Sequence, residues 1–201
     1  NLENEPDVKS SLKDGADIVA FSGDKLLGGP QSGILVGDSR YIDRLRKAPM
    51  MRALRVGKLT IAALASVIRG YLNDQTLVET LPLFARLEQT DQELKTKAKQ
   101  LLKALKSHNI NAETVKSTGQ CGGGTLPNQT IDSYAVKLVS GLKAQKDRSD
   151  YAEAVFTRLH QLDKPIIAIL KQAEIQFDML TLDQEDLPYI ARSVAAVLNE
   201  E

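Results

Sequence analysis

A mixed α/β chain that ends in a smaller α+β unit is predicted by three features of the sequence. Two short apolar runs flank a Gly28-Gly29-Pro30 turn, stretches with helical spacing fill positions 38 to 107, and strands alternate with helices from Ala112 onward. Ala16, Ile18, Val19, Ala20 and Phe21 form the first apolar run and Ile34, Leu35 and Val36 the second. Both are short enough to be buried strands rather than helices. Lys25 lies between them, at a strand end and next to a tight backbone. A lysine fixed at the edge of a core can lose its proton and form an imine with an aldehyde cofactor, which requires a nucleophilic amine and a partly desolvated pocket.

The remaining elements follow in order. Glu5-Pro6 leads a short helix before the first strand. Asp38 or Ser39 caps a helix through Lys47, and Pro49 stops it. Lys58 to Leu72 reads as a longer helix with Leu59, Ala62, Ala63, Val67 and Leu72 on a broad apolar face, Thr60 near its cap and Gly70 as a weak spot. Thr90 to Ser107 is another, with Leu94, Ala98, Leu101, Leu102 and Leu105 set against a lysine-rich outer face, and it is expected to link a large unit to a small one. Ala112–Lys116 and Ser133–Val139 are expected strands around a glycine-rich loop. A helix from Tyr151 to Leu162 is capped by Ser149. Pro165–Leu170 is expected as a buried strand that pairs with Ala173–Asp178 through a Lys171-Gln172 turn. Asp183 caps a final helix to Leu198. The order β, β, α, β, β, α describes a sheet with helices over one face.

Composition bounds the function. The 201 residues are 42% hydrophobic and 26% charged, enough for a sizeable core and one or two compact units. Twenty-six basic residues balance 26 acidic ones, so no global basic field advertises nucleic acid. The single cysteine, Cys121, cannot form an internal disulfide, and the cytoplasm is the simplest compartment. No apolar run approaches a membrane span and no signal peptide opens the chain.

Among polar residues, Arg52 and Arg55 are three apart, so one helical turn would project both to the same side. They either grip a phosphate-like group or belong to a solvated cluster with Arg44, Arg46 and Lys47. Asp24 either tunes the neighbouring amine or caps backbone amides. Ser22 and Gln31 either touch a cofactor phosphate or substrate, or satisfy the local turn. The loop Ser117–Thr125 has three consecutive glycines but no following helix to form a phosphate cradle, and it is expected to close near the active site with Cys121 a bystander. His108 and His160 fall near helix ends and belong to no metal-like cluster.

The segment Ser22-Gly23-Asp24-Lys25-Leu26-Leu27-Gly28-Gly29-Pro30-Gln31-Ser32-Gly33 resembles the cofactor-lysine segment of the bacterial selenocysteine synthases, the seryl-tRNA(Sec) selenium transferases. The likeness continues through Glu5-Pro6, Gly15-Ala16-Asp17, Tyr41-Ile42, Arg52-Ala53-Leu54-Arg55-Val56 and Gly122-Gly123-Gly124-Thr125-Leu126-Pro127 and spans nearly the whole chain. The resemblance implies the end of a fold-type-I pyridoxal-phosphate (PLP) transferase large domain in residues 1–89 and a small α+β C-terminal domain in 90–201. It implies pyridoxal 5'-phosphate held by Lys25 as a Schiff base, with Asp24 as a catalytic companion and Ser22 near the cofactor. Arg52, Arg55 and Gln31 are placed at the substrate, the two arginines recognising the anionic selenium donor. The implied reaction converts seryl-tRNA(Sec) to selenocysteinyl-tRNA(Sec) with selenophosphate, through an aminoacryl-tRNA intermediate. The implied assembly is a homo-oligomeric ring of dimers, in the cytoplasm.

The chain is expected to be a fragment, inactive alone, with the main tRNA contacts upstream. Two alternatives stay open: a related PLP-dependent lyase acting on a small amino acid or amino sugar phosphate, and an inactive assembly module.

Overall fold

The computed structural model describes residues 7–121 and 130–199. The Gly122–Pro127 motif lies outside the described residues. The chain divides into two units, residues 1–85 with 121–128, and residues 86–120 with 129–201.

The first unit opens with helix α1 (Val8–Lys13), whose cap Asp7 accepts a bond from the Ser10 amide at 2.9 Å. Strands β1 (Ile18–Ser22) and β2 (Gly33–Gly37) then form a two-stranded antiparallel ribbon with Ser22 opposite Gly33 and Ile18 opposite Gly37. The strands lie where the apolar runs place them, but neither is buried: their side chains alternate between half-buried and exposed. A two-stranded ribbon has too few neighbours to cover both of its faces. Helix α2 (Ser39–Lys47) is capped by Asp38, which also holds Arg40 in a bidentate pair, the nearer contact 2.7 Å. A single turn, α3 (Met51–Leu54), follows and ends at Arg55, whose backbone is already extended.

Helix α4 (Lys58–Gly70) corrects the expected apolar face. Leu59 is 79% and Leu72 82% exposed, and Ala62 and Ala63 are exposed too. The half-buried stripe is Thr60, Leu64, Val67 and Tyr71, a second i, i+4, i+7, i+11 series. Thr60 caps nothing, because Gly57 is the N-cap and makes no side-chain bond. Two unanticipated short helices, α5 (Asp74–Thr80) and α6 (Pro82–Leu87), follow, α5 capped by Asn73.

The second unit contains the main core. Helix α7 (Asp91–Ser107) starts at a capping box in which Thr90 and Glu93 satisfy each other's backbone amides. Its buried stripe, Leu94, Ala98, Leu101 and Leu105, matches the expected one. Rather than only linking two units, it packs within this core against β3 (Ala112–Gly119), β4 (Ile131–Leu138) and the last helix. The sheet order is β3-β4-β6-β5, antiparallel throughout, with β5 spanning Ile169–Lys171 and β6 Glu174–Asp178. Helices α7, α8 (Gln145–His160) and α9 (Leu187–Asn199), with loop residues such as Ile110, Ile166 and Met179, pack core side chains around Val136, Ile175 and Phe177.

Four details differ from expectation. Helix α8 begins at Gln145, so Ser149 lies inside it and donates to Glu153 at 3.2 Å instead of capping. The isoleucine-rich run yields only a three-residue edge strand with all residues exposed; Ile166 and Ala168 are buried ahead of it in irregular backbone, and Ile167 is 78% exposed. The β5–β6 turn is Gln172-Ala173, both with positive φ (53° and 62°), one residue later than expected. Asp183 precedes a 3₁₀ turn (Gln184–Asp186), but its carboxylate pairs with Arg86, both contacts 2.7 Å, rather than with helix amides.

That pairing makes a pH prediction. The Arg86 hydrogen bonds hold the Asp183 carboxyl below the ordinary carboxylate value. A depressed carboxyl contributes stability above its unfolded pKa and loses it as pH falls through the folded one. The urea midpoint is therefore expected to fall below about pH 4, and Asp183→Asn to remove under about 1 kcal/mol at pH 7, since Asp183 is half-exposed. An equal loss for wild type and variant between pH 7 and pH 3 would exclude this pair as a contributor.

Candidate active site

Ribbon β1–β2 presents Lys25 on the loop that joins its strands. The chain leaves β1 at Ser22 and folds back on itself through three backbone bonds: Gly23 N–H to Ser32 O (2.8 Å), Gly29 N–H to Gly23 O (2.7 Å) and Gly28 N–H to Lys25 O (2.9 Å). The last closes a β-turn with Lys25 at its first position and Leu26-Leu27 at its centre. Gly28 has φ +74°, a left-handed backbone that favours glycine, and a Cβ there would press within 3.2 Å of Leu81 Cδ2. A Cβ on Gly23 would lie 2.3 Å from Ser32 Oγ, which donates to Pro30 O at 3.1 Å.

Lys25 Nζ sits 3.6 Å from Asp24 Oδ2, with the lysine side chain 51% and the aspartate 29% exposed. Within this chain the amine is therefore accessible rather than sequestered, and Asp24 is its ion-pair partner. Ser22 and Gln31, on either side of the loop, are exposed. The loop is braced from behind by the first unit's helices. Leu64 of α4 approaches Gly29, Leu81 is buried against Gly28, and the Tyr71 hydroxyl donates toward the carbonyls of Leu26 (3.2 Å) and Leu27 (3.0 Å).

Arg52 and Arg55 come together on the wall of a groove of about 740 Å³ with Gly33, Leu35, Met51, Leu54, Val56, Gly57, Lys58 and Ile61. Both arginines are exposed. Lys25 does not line this groove, but Gly33 does, and Gly33 pairs with Ser22 at the lysine end of the ribbon. The groove and the lysine loop thus share one end of β1–β2. Lys58 extends the 52, 55 spacing by three more residues, a signal that was available in the sequence. Tyr71 left none, because it acts on backbone carbonyls 44 and 45 positions away. Among the described residues no cluster of His, Cys, Asp and Glu is arranged to hold a metal, and no helix is long and apolar enough to cross a membrane.

These elements define a mixed α/β fold, and the structure of D-glucosaminate-6-phosphate ammonia-lyase shares it: it superposes with a TM-score of 0.56, over 98% of this chain and 47% of that one, at 19% identity. The family described as "SelA: L-seryl-tRNA selenium transferase" matches residues 1–183. The chain belongs to the L-seryl-tRNA selenium transferase family. The L-seryl-tRNA(Sec) selenium transferase of Clostridium botulinum (strain Hall) is 34% identical over 196 residues, 96% of this chain. That of Alkaliphilus metalliredigens is 33% identical over 199 residues, 98% of this chain. In both comparisons the chain spans 41% of the relative's length.

Proposed function

We propose that this chain carries the cofactor lysine and the anion-binding groove of an enzyme that converts seryl-tRNA(Sec) to selenocysteinyl-tRNA(Sec) with selenophosphate. The observation that carries the reading is the accessible Lys25 amine, set on a braced turn with one carboxylate 3.6 Å away and an arginine groove at the same end of the ribbon. In this reading the first unit closes a fold-type-I large domain and the second is its small domain.

The donor set fits pyridoxal phosphate: a primary amine on a rigid loop can hold the aldehyde, and Ser22 lies beside it. When bound, that cofactor supplies an electron sink for the charge left by removal of the seryl α-proton. Lys25 Nζ takes that proton as a base and later returns one to a leaving or incoming group. Asp24, adjacent in the chain, is the ion-pair partner of Lys25 at 3.6 Å and helps hold its side chain at the site. Arg52 and Arg55, with Lys58 beside them, hold the anionic selenium donor through charge-assisted hydrogen bonds, while Gln31 orients the substrate. Half of the Lys25 side chain is accessible in this chain. The walls that exclude water from it would come from other parts of a family-length enzyme.

The test uses a family-length enzyme carrying this sequence, incubated with pyridoxal phosphate, seryl-tRNA(Sec) and selenophosphate. Selenocysteinyl-tRNA is the expected product, and Arg52→Ala with Arg55→Ala is expected to raise the selenophosphate KM at least about tenfold by removing two charged contacts. Conversion of a free small amino acid or amino sugar phosphate, with seryl-tRNA left untouched, would replace this reading by a lyase.

A further inference from the structure

We propose that Tyr71 is a positioning residue for Lys25, fixing through one phenol the carbonyls of both central residues of the turn that presents the amine. The proposal rests on the reading of Lys25 as the cofactor lysine. Leu26 and Leu27 follow Lys25 directly, and their carbonyl oxygens lie 3.2 and 3.0 Å from the Tyr71 hydroxyl. The two carbonyls belong to the Leu26-Leu27 peptide, the plane whose flip distinguishes turn types, and to the Leu27-Gly28 peptide, whose N–H closes the turn on Lys25 O. One hydroxyl hydrogen shared between the two carbonyls holds both planes.

The phenol is itself fixed. Tyr71 is the C-cap residue of α4, its amide bonded to Ile68 O at 3.1 Å, and its ring meets Phe84 edge to face, centroids 5.7 Å apart at 89°. Partial burial raises the phenol pKa, so the group stays protonated and keeps its hydrogen to donate. Gly28 at the end of the turn leans on Leu81 and Gly29 on Leu64, so the loop meets a helical backing at three points. Of these only Tyr71 offers a polar bond. Leu64 and Leu81 limit how far the loop can retreat, whereas Tyr71 sets how its peptides are turned. The ribbon's register ends at Ser22 and Gly33, and the Gly23–Ser32 and Gly29–Gly23 bonds carry it to the base of the turn without reaching the Leu26 and Leu27 carbonyls.

The experiment compares wild type, Tyr71→Phe and Tyr71 replaced by 4-aminophenylalanine in a family-length enzyme carrying this sequence. Phenylalanine keeps the ring and its packing on Phe84 but has no donor; the amino group restores one. Each protein is mixed with pyridoxal phosphate and quenched with borohydride, and the rate of labelling at Lys25 is followed by peptide mass spectrometry across pH. Amide hydrogen exchange at Gly28 and Gly29 is recorded on the same proteins without cofactor. Tyr71→Phe is expected to slow labelling about three- to tenfold, the effect of one net hydrogen bond, and to shift the pH midpoint of labelling. It is also expected to speed exchange at Gly28 and Gly29 while leaving exchange in the second unit unchanged. The amino analogue is expected to recover most of the wild-type rate. Equal rates and midpoints for wild type and Tyr71→Phe overturn the positioning role alone. A wild type that takes no label at Lys25 overturns the reading of the lysine, and the positioning role with it. Should Tyr71→Phe fail to fold, the amino analogue decides: a wild-type rate supports the donor, and a slowed rate at intact exchange in the second unit removes it.

Discussion

Replacing Lys25 with alanine in a family-length enzyme carrying this sequence is expected to abolish turnover, by at least about 10²–10⁴-fold from lost proton transfer alone. The covalent hold on the cofactor disappears with it, so the borohydride-stable label is expected to vanish too. The fold should not suffer. The Lys25 side chain is half-exposed and pairs with Asp24, and the turn is held by backbone bonds and by Tyr71. Circular dichroism and thermal midpoint are therefore expected to match wild type while activity is lost. A Lys25→Ala enzyme that retained more than a tenth of its activity would remove the amine from the mechanism. Lys25→Arg separates charge from nucleophilicity: it keeps a cation beside Asp24 but cannot form the covalent link, and it is expected to be as inactive as alanine.

The largest stability effect is expected at a different lysine. Lys97 sits on α7 among residues whose spacing predicts an outer face, yet it is 8% exposed. Its ammonium donates to Gln89 Oε1 (2.5 Å), Met179 O (2.5 Å) and Leu182 O (2.7 Å) and so ties α7 to the segment after β6. Burial, with Arg86 nearby, pushes its pKa below the ordinary lysine value, so the folded state holds this proton less tightly than the unfolded chain does. The charge therefore costs stability at neutral pH, and three charge-assisted hydrogen bonds offset that cost. Lys97→Met relieves the desolvation but strands three acceptors, Met179 O fully buried and Gln89 Oε1 and Leu182 O partly so. The stranded acceptors dominate, and a net loss of about 3 kcal/mol is expected in urea unfolding of this chain. A variant as stable as wild type would show that water or a neighbouring donor replaces the ammonium.

The contrast between these lysines shows what the sequence can and cannot express. Lys25 was legible because its neighbours are glycines and apolar runs, which leave few local arrangements. Lys97 was not, because it occupies a helical position flanked by Lys95 and Lys99, and two of its three acceptors arrive only with the return of the chain after β6. The core of the second unit was legible for the same local reason: Leu94, Ala98, Leu101 and Leu105 recur at one helical period, and the capping box at Thr90 fixes where that period begins. Helix α4 was misread because the more apolar stripe in its sequence is not the one that packs; only Val67 is common to both. Thr60 and Tyr71 look polar in sequence yet lie on the inner stripe, while Leu59 and Leu72 lie outside it. The final helix shows a third limit. Asp183 has the identity and position of a cap, but Arg86, almost a hundred residues earlier, competes for its carboxylate and wins with two good bonds. Of the candidate site, Lys25 stands out by its local frame, whereas Asp24 and the arginine pair, ambiguous by spacing alone, are placed there by the family resemblance; the bracing of the loop could not be read from either.

The spacing between Lys25 and Asp24 has one more implication. They are consecutive residues on a turn whose backbone is closed by three hydrogen bonds, so acid and amine are carried by the same rigid piece of chain. No movement elsewhere in the protein can draw them apart in the way that two groups on different elements can be separated. Control over the amine is then left to whatever admits or excludes water around the pair, and the carboxylate stays beside it in the chain whatever the rest of the protein does.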